Sequence, residues 1–325
     1  MLAAFYEKNG PARDVLRVGE VETTAPGPGE VRVKLATSAV NPSDVKSRLG
    51  TTRQIAYQRV IPHSDGAGLI DTVGEGVPRS RIGERVWVWN GQWKRSFGTA
   101  AHYITLPSVQ AVRLPDRVSF AEGACLGIPA MTAIHAIEMA NPDKETILLI
   151  SGGAGSVSQY AIQFAKMRGA RVLTTISSPE KAKVARDLGA DHTIDYKREN
   201  VGDRVMEITG KRGVDAVIEM DLAANAKLIH SVLRPKGSVI VYGTGGAEVT
   251  LPAQFCLVNG IAVRFFIVYE LDAVERKRAV SGVTRALDTG ALANNTEPPF
   301  PLASIAAAHE AVEQGRGTGN IIVTM

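Results

Sequence analysis

The stretch Ile147-Leu-Leu-Ile-Ser-Gly-Gly-Ala-Gly-Ser-Val-Ser158 decides how this chain folds. Four apolar residues run into a glycine-rich turn, and apolar residues then recur at helical spacing. The pattern predicts a buried parallel strand, a tight turn and a helix packed on the sheet. We expect Gly152 to permit the turn, Gly155 to allow close approach of a ligand, and Ser158 to pack the helix on the strand. A pyrophosphate suits the free N–H groups at such a helix start, although an ordinary strand–helix turn has the same pattern.

The segment after the next predicted strand bears on the choice of cofactor. That strand covers 171–176, and NAD-binding proteins usually end it with an acid that binds the ribose 2′-OH. Here Ser177, Ser178 and Lys181 follow instead. Two hydroxyls and a lysine suit a 2′-phosphate better than a diol, so NADPH is predicted. The alternative for Lys181 is a solvated residue in the first turn of the next helix.

Strands and helices alternate through the middle of the chain. Residues 214–218 and 237–242 have the apolar pattern of buried strands, and residues 224–233 have that of a helix between them. The alternation predicts an α/β fold with a doubly wound parallel sheet.

Composition excludes several classes of protein. The 325 residues are 45% hydrophobic and 22% charged, which is typical of a globular chain with a substantial core. No apolar run is long enough to span a membrane, and the N-terminus is too short and polar for a signal peptide. Two cysteines exclude a disulfide framework, so we expect a cytoplasmic protein. The net charge of +4 suits an anionic cofactor, whereas the scattered lysines and arginines disfavour nucleic acid.

The first 125 residues have a different texture. Short stretches with strand patterns, 31–35, 68–73 and 85–89, stand between glycine- and proline-rich turns. They predict a partly closed β-barrel. A helix at 304–313 and a strand at 320–324 close the chain, and we expect them to rejoin this first region.

The order and spacing of several motifs make the resemblance to a known family specific. The motifs are Val40-Asn-Pro-Ser-Asp44, Ile61-Pro-His-Ser-Asp-Gly-Ala-Gly68, the Gly152 turn, and His309-Glu-Ala-Val-Glu-Gln-Gly-Arg-Gly-Thr-Gly319. The chain resembles the zinc-free medium-chain dehydrogenases/reductases, in the NADPH:quinone oxidoreductase branch that includes ζ-crystallin. The resemblance implies a GroES-like catalytic barrel over 1–125, completed by 265–325, and a Rossmann NADP-binding domain over 126–264.

The resemblance also bears on the chemistry. Where zinc alcohol dehydrogenases of this superfamily hold catalytic metal, the chain has Asn41, Ser64 and Ile128, and none of these is a competent zinc ligand. Without a Lewis acid, the easier reaction is hydride transfer to an electron-poor carbon, as in a quinone or an α,β-unsaturated carbonyl. Two alternatives stay open. One is a non-catalytic NADPH-binding protein of the crystallin or RNA-binding kind, and the other is a zinc-free enoyl reductase.

Cofactor-binding residues are implied by the same resemblance. They would lie at the nicotinamide and its ribose, the pyrophosphate, the 2′-phosphate and the adenosine of NADPH. They are Asn41, Thr132, Gly152, Gly155, Ser156, Val157, Ser177, Ser178, Lys181, Tyr196, Gly243, Thr244, Phe266, Ile267, Val268 and Arg316.

The catalytic candidates are Asn41 and three residues near it in the sequence, Asp44, Lys46 and Arg48. We expect Asp44 and Arg48 to form an ion pair that holds the Asn41 loop. Lys46 stands where quinone reductases usually have a tyrosine, and it is either a ligand for an anionic substrate group, a proton donor or an exposed lysine. The unfamiliar segment 50–60 leaves substrate identity open. Because the apolar stretch 261–268 would form a sheet edge, a homodimer through that edge is predicted.

Overall fold

A computed structural model describes residues 1–315 and 317–325 of the chain. They form two compact units. Unit 1 comprises residues 1–128 and 286–325, and unit 2 comprises residues 129–285. Residues 265–285 therefore lie with unit 2, whereas the sequence predicted them to complete the first domain. The reason is local packing, because Gly282 of the helix 273–289 lies against Ile134 with no room for a Cβ atom.

Unit 1 is mainly β structure with a few short helices. Its elements are β1 (Leu2–Phe5), α1 (Ala12–Val15), β2 (Arg17–Glu20), β3 (Glu30–Val40), α2 (Pro42–Leu49), β4 (Asp65–Val73), β5 (Arg85–Val88), β6 (Tyr103–Pro107), β7 (Ala111–Arg113), α3 (Phe120–Gly123), β14 (Phe300–Pro301), α12 (Ile305–Gln314) and β15 (Ile321–Thr324).

The long strand β3 organises unit 1. The sheet runs β14-β15-β3-β4-β5-β7, and β6 also pairs with β3. Inward-facing side chains such as Val31, Val33 and Ile70 alternate with exposed ones and form the core of this curved sheet. β15 pairs antiparallel with the end of β3, so the C-terminal strand rejoins the first region as predicted. That pairing supports the end of β3, where Asn41 begins α2.

Unit 2 contains the remaining elements. They are α4 (Met131–Ala140), β8 (Ile147–Ile150), α5 (Ser156–Met167), β9 (Arg171–Ile176), α6 (Pro179–Asp187), β10 (His192–Asp195), α7 (Val201–Ile208), β11 (Val214–Glu219), α8 (Leu222–Asn225), α9 (Ile229–Val232), β12 (Leu233–Val241), α10 (Ala253–Asn259), β13 (Ala262–Phe265) and most of α11 (Ala273–Thr289).

The six strands of unit 2 form one parallel sheet in the order β10-β9-β8-β11-β12-β13. The chain moves outward from β8 in one direction and then returns to build the other half, so the order reverses beside β8. In such sheets ligands bind beyond the carboxyl ends of the strands at this reversal. The predicted doubly wound parallel sheet is confirmed.

Two predicted elements differ in the structure. The helix predicted over 224–233 is broken into α8, a 3₁₀ turn and α9, and Leu233 already begins β12. The apolar stretch 261–268 is a strand only over β13, and Val268–Glu270 is a 3₁₀ turn. Ala226, Ile229 and Val232 fill the core of the unit, whereas residues 261–267 are exposed or half-buried. Apolar character alone does not distinguish a strand from a helix.

None of the helices in residues 1–315 and 317–325 has the length and apolar character that a membrane span requires.

Candidate functional site

The glycine turn lies where β8 ends in unit 2. Gly152 has a φ of 63°, in the left-handed region that favours glycine, and its amide donates to Thr175 Oγ1 at 2.9 Å. A Cβ atom at Gly153 would lie 2.3 Å from Thr174 Oγ1 of β9. The turn therefore depends on Gly152 and Gly153, which both contact the neighbouring strand, and the sequence pattern predicts a role only for Gly152.

The start of α5 has the features of an anion site. Gly155 is its N-cap residue, and no side chain caps the first turn. The amides of that turn, at Ser156, Val157 and Ser158, have no partner inside the helix. A Cβ atom at Gly155 would approach the Gly152 carbonyl oxygen to 3.2 Å but meet no other backbone. Oxygen atoms of a pyrophosphate can therefore come close to these amides, aided by the positive end of the helix dipole.

Ser158 and its neighbours hold the helix on the sheet. The Ser158 hydroxyl, which is buried, donates to the carbonyl oxygen of Ser151 at 2.7 Å. Ser151 in turn donates its hydroxyl to Glu219 Oε2 at 2.6 Å. Glu219 ends β11, and its other carboxylate oxygen accepts from the amide of Asp221 at 2.6 Å. This carboxylate joins the ends of β8 and β11. An acid that ends the apolar strand pattern of β11 was the signal for it.

The end of β9 presents the residues predicted to bind a 2′-phosphate. Ser178 is the N-cap of α6, and its hydroxyl oxygen accepts from the Lys181 amide at 3.3 Å. Lys181 lies in the first turn of that helix, and Ser177 precedes the cap. Glu180 stands in the same turn, and a hydrogen bond from Ser178 lowers the pKa of its carboxyl. The first turn of α6 thus carries an acid, Glu180, as well as Lys181.

The other predicted cofactor residues of unit 2 occupy several strand ends. Gly243 follows β12, and a Cβ atom there would lie 2.2 Å from the Met220 carbonyl oxygen. Thr244 donates its hydroxyl to the Gly246 carbonyl at 2.9 Å. Tyr196 follows β10 and is exposed, whereas Thr132 is buried in α4.

The segment after β13 was also predicted to contact the cofactor. The Phe266 ring packs edge-on against His135, with ring centres 4.7 Å apart. Ile267 is exposed and Val268 is buried. Arg316, the last predicted cofactor residue, lies outside the described residues.

In unit 1 the predicted catalytic residue Asn41 is held by two carboxylates. Its side-chain Nδ2 donates to Asp65 Oδ2 at 2.9 Å, and its backbone amide donates to Asp44 Oδ2 at 2.8 Å. Both carboxyl groups are buried. Burial raises the pKa of Asp44 to about 7, against the opposing effects of the Asn41 amide and the Arg53 guanidinium. Asp65 was not predicted, although a charged residue beginning the apolar strand β4 pointed to it.

The expected ion pair between Asp44 and Arg48 is not what the structure shows. The Arg48 guanidinium is fully buried, pairs with Glu313 of α12, and donates to the Gly10 carbonyl at 2.9 Å. Arg48 therefore fastens α2 to α12, while Asp44 supports the Asn41 backbone by a hydrogen bond. The physical reason is the direction in which each side chain extends. Asp44 is at N3 of α2 and its carboxylate extends back to the helix start, whereas Arg48 lies one turn further on. Lys46, which lies between them in the sequence, is half-buried.

Both units of the chain are similar to known protein families. Residues 27–116 match the family model described as alcohol dehydrogenase GroES-like domain, and residues 156–284 match the one described as zinc-binding dehydrogenase. The quinone oxidoreductase of Rattus norvegicus is 30% identical over 96% of this chain and 93% of its own length. The chain belongs to the medium-chain dehydrogenases/reductases, in the quinone oxidoreductase branch. The predicted family and its oxidoreductase class are confirmed.

Two further proteins are similar to this oxidoreductase over nearly its whole length. The 2-haloacrylate reductase of a Burkholderia species is 28% identical over 99% of this chain and 98% of its own length. A mycobacterial protein solved in complex with NADPH shares the fold, with a TM-score of 0.88, 24% identity, and coverage of 100% of both chains.

The side chains at the three zinc-ligand positions of the wider family show whether this oxidoreductase could bind zinc there. Ile128 has no donor atom, Ser64 offers only a buried hydroxyl, and the Asn41 amide is bonded to Asp65. Structural and catalytic zinc sites take thiolate, imidazole and carboxylate ligands. The residues at these three positions therefore do not fit zinc, although the name of the second family model mentions it.

Proposed function

We propose that this protein is an NADPH-dependent reductase that transfers hydride to a quinone or an α,β-unsaturated carbonyl compound without a metal ion. The observation that carries the proposal is the uncapped start of α5 at Gly155, placed at the reversal of a parallel sheet. NADPH, when bound, supplies the hydride. The quinone and acrylate reductases among the relatives support this substrate range.

The residues of unit 2 would bind the cofactor in parts. The amides of Ser156 and Val157 would hold the pyrophosphate, because they begin a helix and lack an intrahelical partner. Ser177, Ser178 and Lys181 would hold the 2′-phosphate through hydroxyls and one positive charge. The relative solved with NADPH supports this choice of cofactor.

The proposed reaction needs no metal ion because of the chemistry of its substrate. A quinone or an enone already has an electron-poor carbon, so hydride addition needs no Lewis acid to polarise it. The side chains of unit 1 would then have the tasks of positioning and proton supply. Asn41, held by Asp65 and Asp44, is a fixed amide, and Lys46 is a proposed source of the proton that follows the hydride.

Steady-state NADPH oxidation with a panel of small quinones and enones tests the function. We expect turnover that is unchanged by a chelator, with less than one equivalent of zinc by elemental analysis. Full loss of activity on chelation, or stoichiometric zinc, would show that metal is required. No oxidation of NADPH with any acceptor, despite tight NADPH binding, would favour the non-catalytic alternative.

A homodimer through the edge of the unit 2 sheet is part of the proposal. β13 is the edge strand, and Phe265 on it is 63% exposed. The neighbouring helix α10 exposes Leu257 and Val258 by 83% and 76%. An exposed apolar edge of this kind favours pairing with a second copy about a two-fold axis.

A further inference from the structure

A partly open cavity in unit 1 lies beside the segment 50–60, whose role the sequence left open. Its volume is about 210 Å³, and apolar atoms make up most of its surface. An apolar cavity of about 150 Å³ is known to hold a benzene ring. This cavity therefore has room for one flat ring or a short unsaturated chain with a small polar group. It is lined by Tyr6, Ser47, Arg53, Gln54, Ile55, Ala56, Tyr57, Val60, Gln92 and Lys94.

The Arg53 guanidinium at this cavity is held in place. Its Nη2 donates to Gln92 Oε1 at 2.6 Å and its Nε donates to Ser47 Oγ at 3.2 Å. The guanidinium also lies over the Trp93 ring, 4.9 Å from the ring centre. A planar cation fixed on three sides is organised before a ligand arrives, so little side-chain entropy is lost on binding.

Tyr6 supplies a second polar group. Its side chain is only 4% exposed and lines the cavity. Burial raises the pKa of Tyr6 to about 12, so the hydroxyl stays protonated and can donate.

We propose that this cavity binds a small carboxylate with a flat apolar or unsaturated body, and that it selects substrates of that class. One carboxylate oxygen would accept from Arg53 and the other from the Tyr6 hydroxyl, while Ile55, Val60 and Tyr57 contact the body. The cavity is too small for a nucleotide, and one fixed guanidinium matches a single negative charge. Burial raises the pKa of the nearby Asp44 carboxyl, which opposes its ionisation beside Arg53. The selection of substrates rests on the proposed reductase function, whereas binding does not.

Calorimetric titration of the full chain with benzoate, and with benzamide as its neutral counterpart, tests the binding. We expect benzoate to bind on the order of tenfold or more tightly than benzamide. Arg53→Gln should weaken benzoate about tenfold or more, Arg53→Lys less, and Tyr6→Phe by roughly two- to tenfold. Arg59→Gln is the matched control, because Arg59 is exposed, pairs with Glu7, and does not line the cavity. Equal affinities for the two ligands, or equal losses in Arg53→Gln and Arg59→Gln, would overturn the proposal.

Turnover separates this proposal from the general function. Carboxylated quinones should show a lower KM than their neutral amides in the wild type, and Arg53→Gln should remove that difference in KM. If neutral quinones are reduced and benzoate does not bind, the carboxylate site is wrong and the reductase function stands. If benzoate binds through Arg53 and no acceptor is reduced, the reductase function fails and the site stands.

Discussion

Nε2 of His63 lies 2.9 Å from Nε2 of His309, and both rings are fully buried in unit 1. One ring must donate and the other accept. His63 Nδ1 is 2.9 Å from Ser38 Oγ, whereas His309 Nδ1 has no partner among the described residues. An unpaired buried N–H is less tolerable than an unpaired ring nitrogen lone pair. We infer that His309 donates from Nε2, and that His63 donates from Nδ1 to Ser38.

Both histidines are therefore neutral in the folded chain, and this predicts a pH effect on stability. Burial lowers the pKa of His63 to about 3 and that of His309 well below its ordinary value. The unfolded chain takes up protons near pH 6.5 and the folded chain does not, so each histidine lowers stability as pH falls below 6.5. Asp44 and Asp65 have raised pKa values and act in the opposite direction.

A difference between variants isolates the histidine contribution. His309→Gln keeps an N–H donor for His63 and removes one titrating group. Relative to wild type, we expect this variant to gain about 2 kcal/mol of unfolding free energy between pH 7.5 and 5. Urea unfolding at both pH values measures it, with the exposed His230→Gln as control. If the difference in unfolding free energy between His309→Gln and wild type were the same at both pH values, the neutral histidine pair would be contradicted.

The glycine turn gives a prediction that separates stability from cofactor binding. Gly153→Ala should destabilise the chain by roughly 1–3 kcal/mol, because the new methyl group overlaps Thr174. Gly155→Ala meets only a 3.2 Å contact, so it should change stability little while weakening NADPH binding about tenfold or more. Thermal unfolding without cofactor and fluorescence titration with NADPH measure the two effects. Equal NADPH affinity in Gly155→Ala and wild type would argue against a pyrophosphate at this turn.

Cofactor preference is expected to depend on Lys181. Lys181→Ala should raise the KM for NADPH and spare NADH, since one charge-assisted contact contributes roughly 1.5–3 kcal/mol, on the order of tenfold or more. Lys183→Ala is the matched control, because Lys183 is exposed and pairs with Asp187. Glu180 in the same turn provides the opposite possibility. A wild type that prefers NADH, and loses that preference in Glu180→Ala, would assign the ribose to the acid.

Charged substitutions on the exposed apolar edge of unit 2 test the proposed dimer. Phe265→Glu combined with Leu257→Lys should convert a dimer of twice the chain mass into a monomer, because both side chains are exposed and apolar. Light scattering at micromolar protein measures the mass. Val109→Glu is the control, since Val109 is 74% exposed in unit 1. A monomeric wild type would reject the edge-strand dimer.

Local patterns were sufficient for a large part of the fold. The run from Ile147 to Ser158 identified β8, the turn and α5, and the side chains of Ser119 and Glu122 form a capping box at the start of α3. Both depend on interactions between near neighbours, which a sequence displays directly. The predicted helix over 224–233 failed because packing under the sheet, rather than periodicity, determines where α9 ends and β12 begins.

The sequence by itself determined the alternating strands and helices, the glycine at the left-handed turn and the family. Only the tertiary structure decided which distant side chains meet. Arg48 pairs with Glu313 rather than Asp44, Asp65 holds Asn41, and Glu219 joins two strand ends. In the correctly predicted elements, backbone conformation follows from residues within a few positions of one another. The partner of a buried charge depends on which elements pack together, and burial makes that partner necessary.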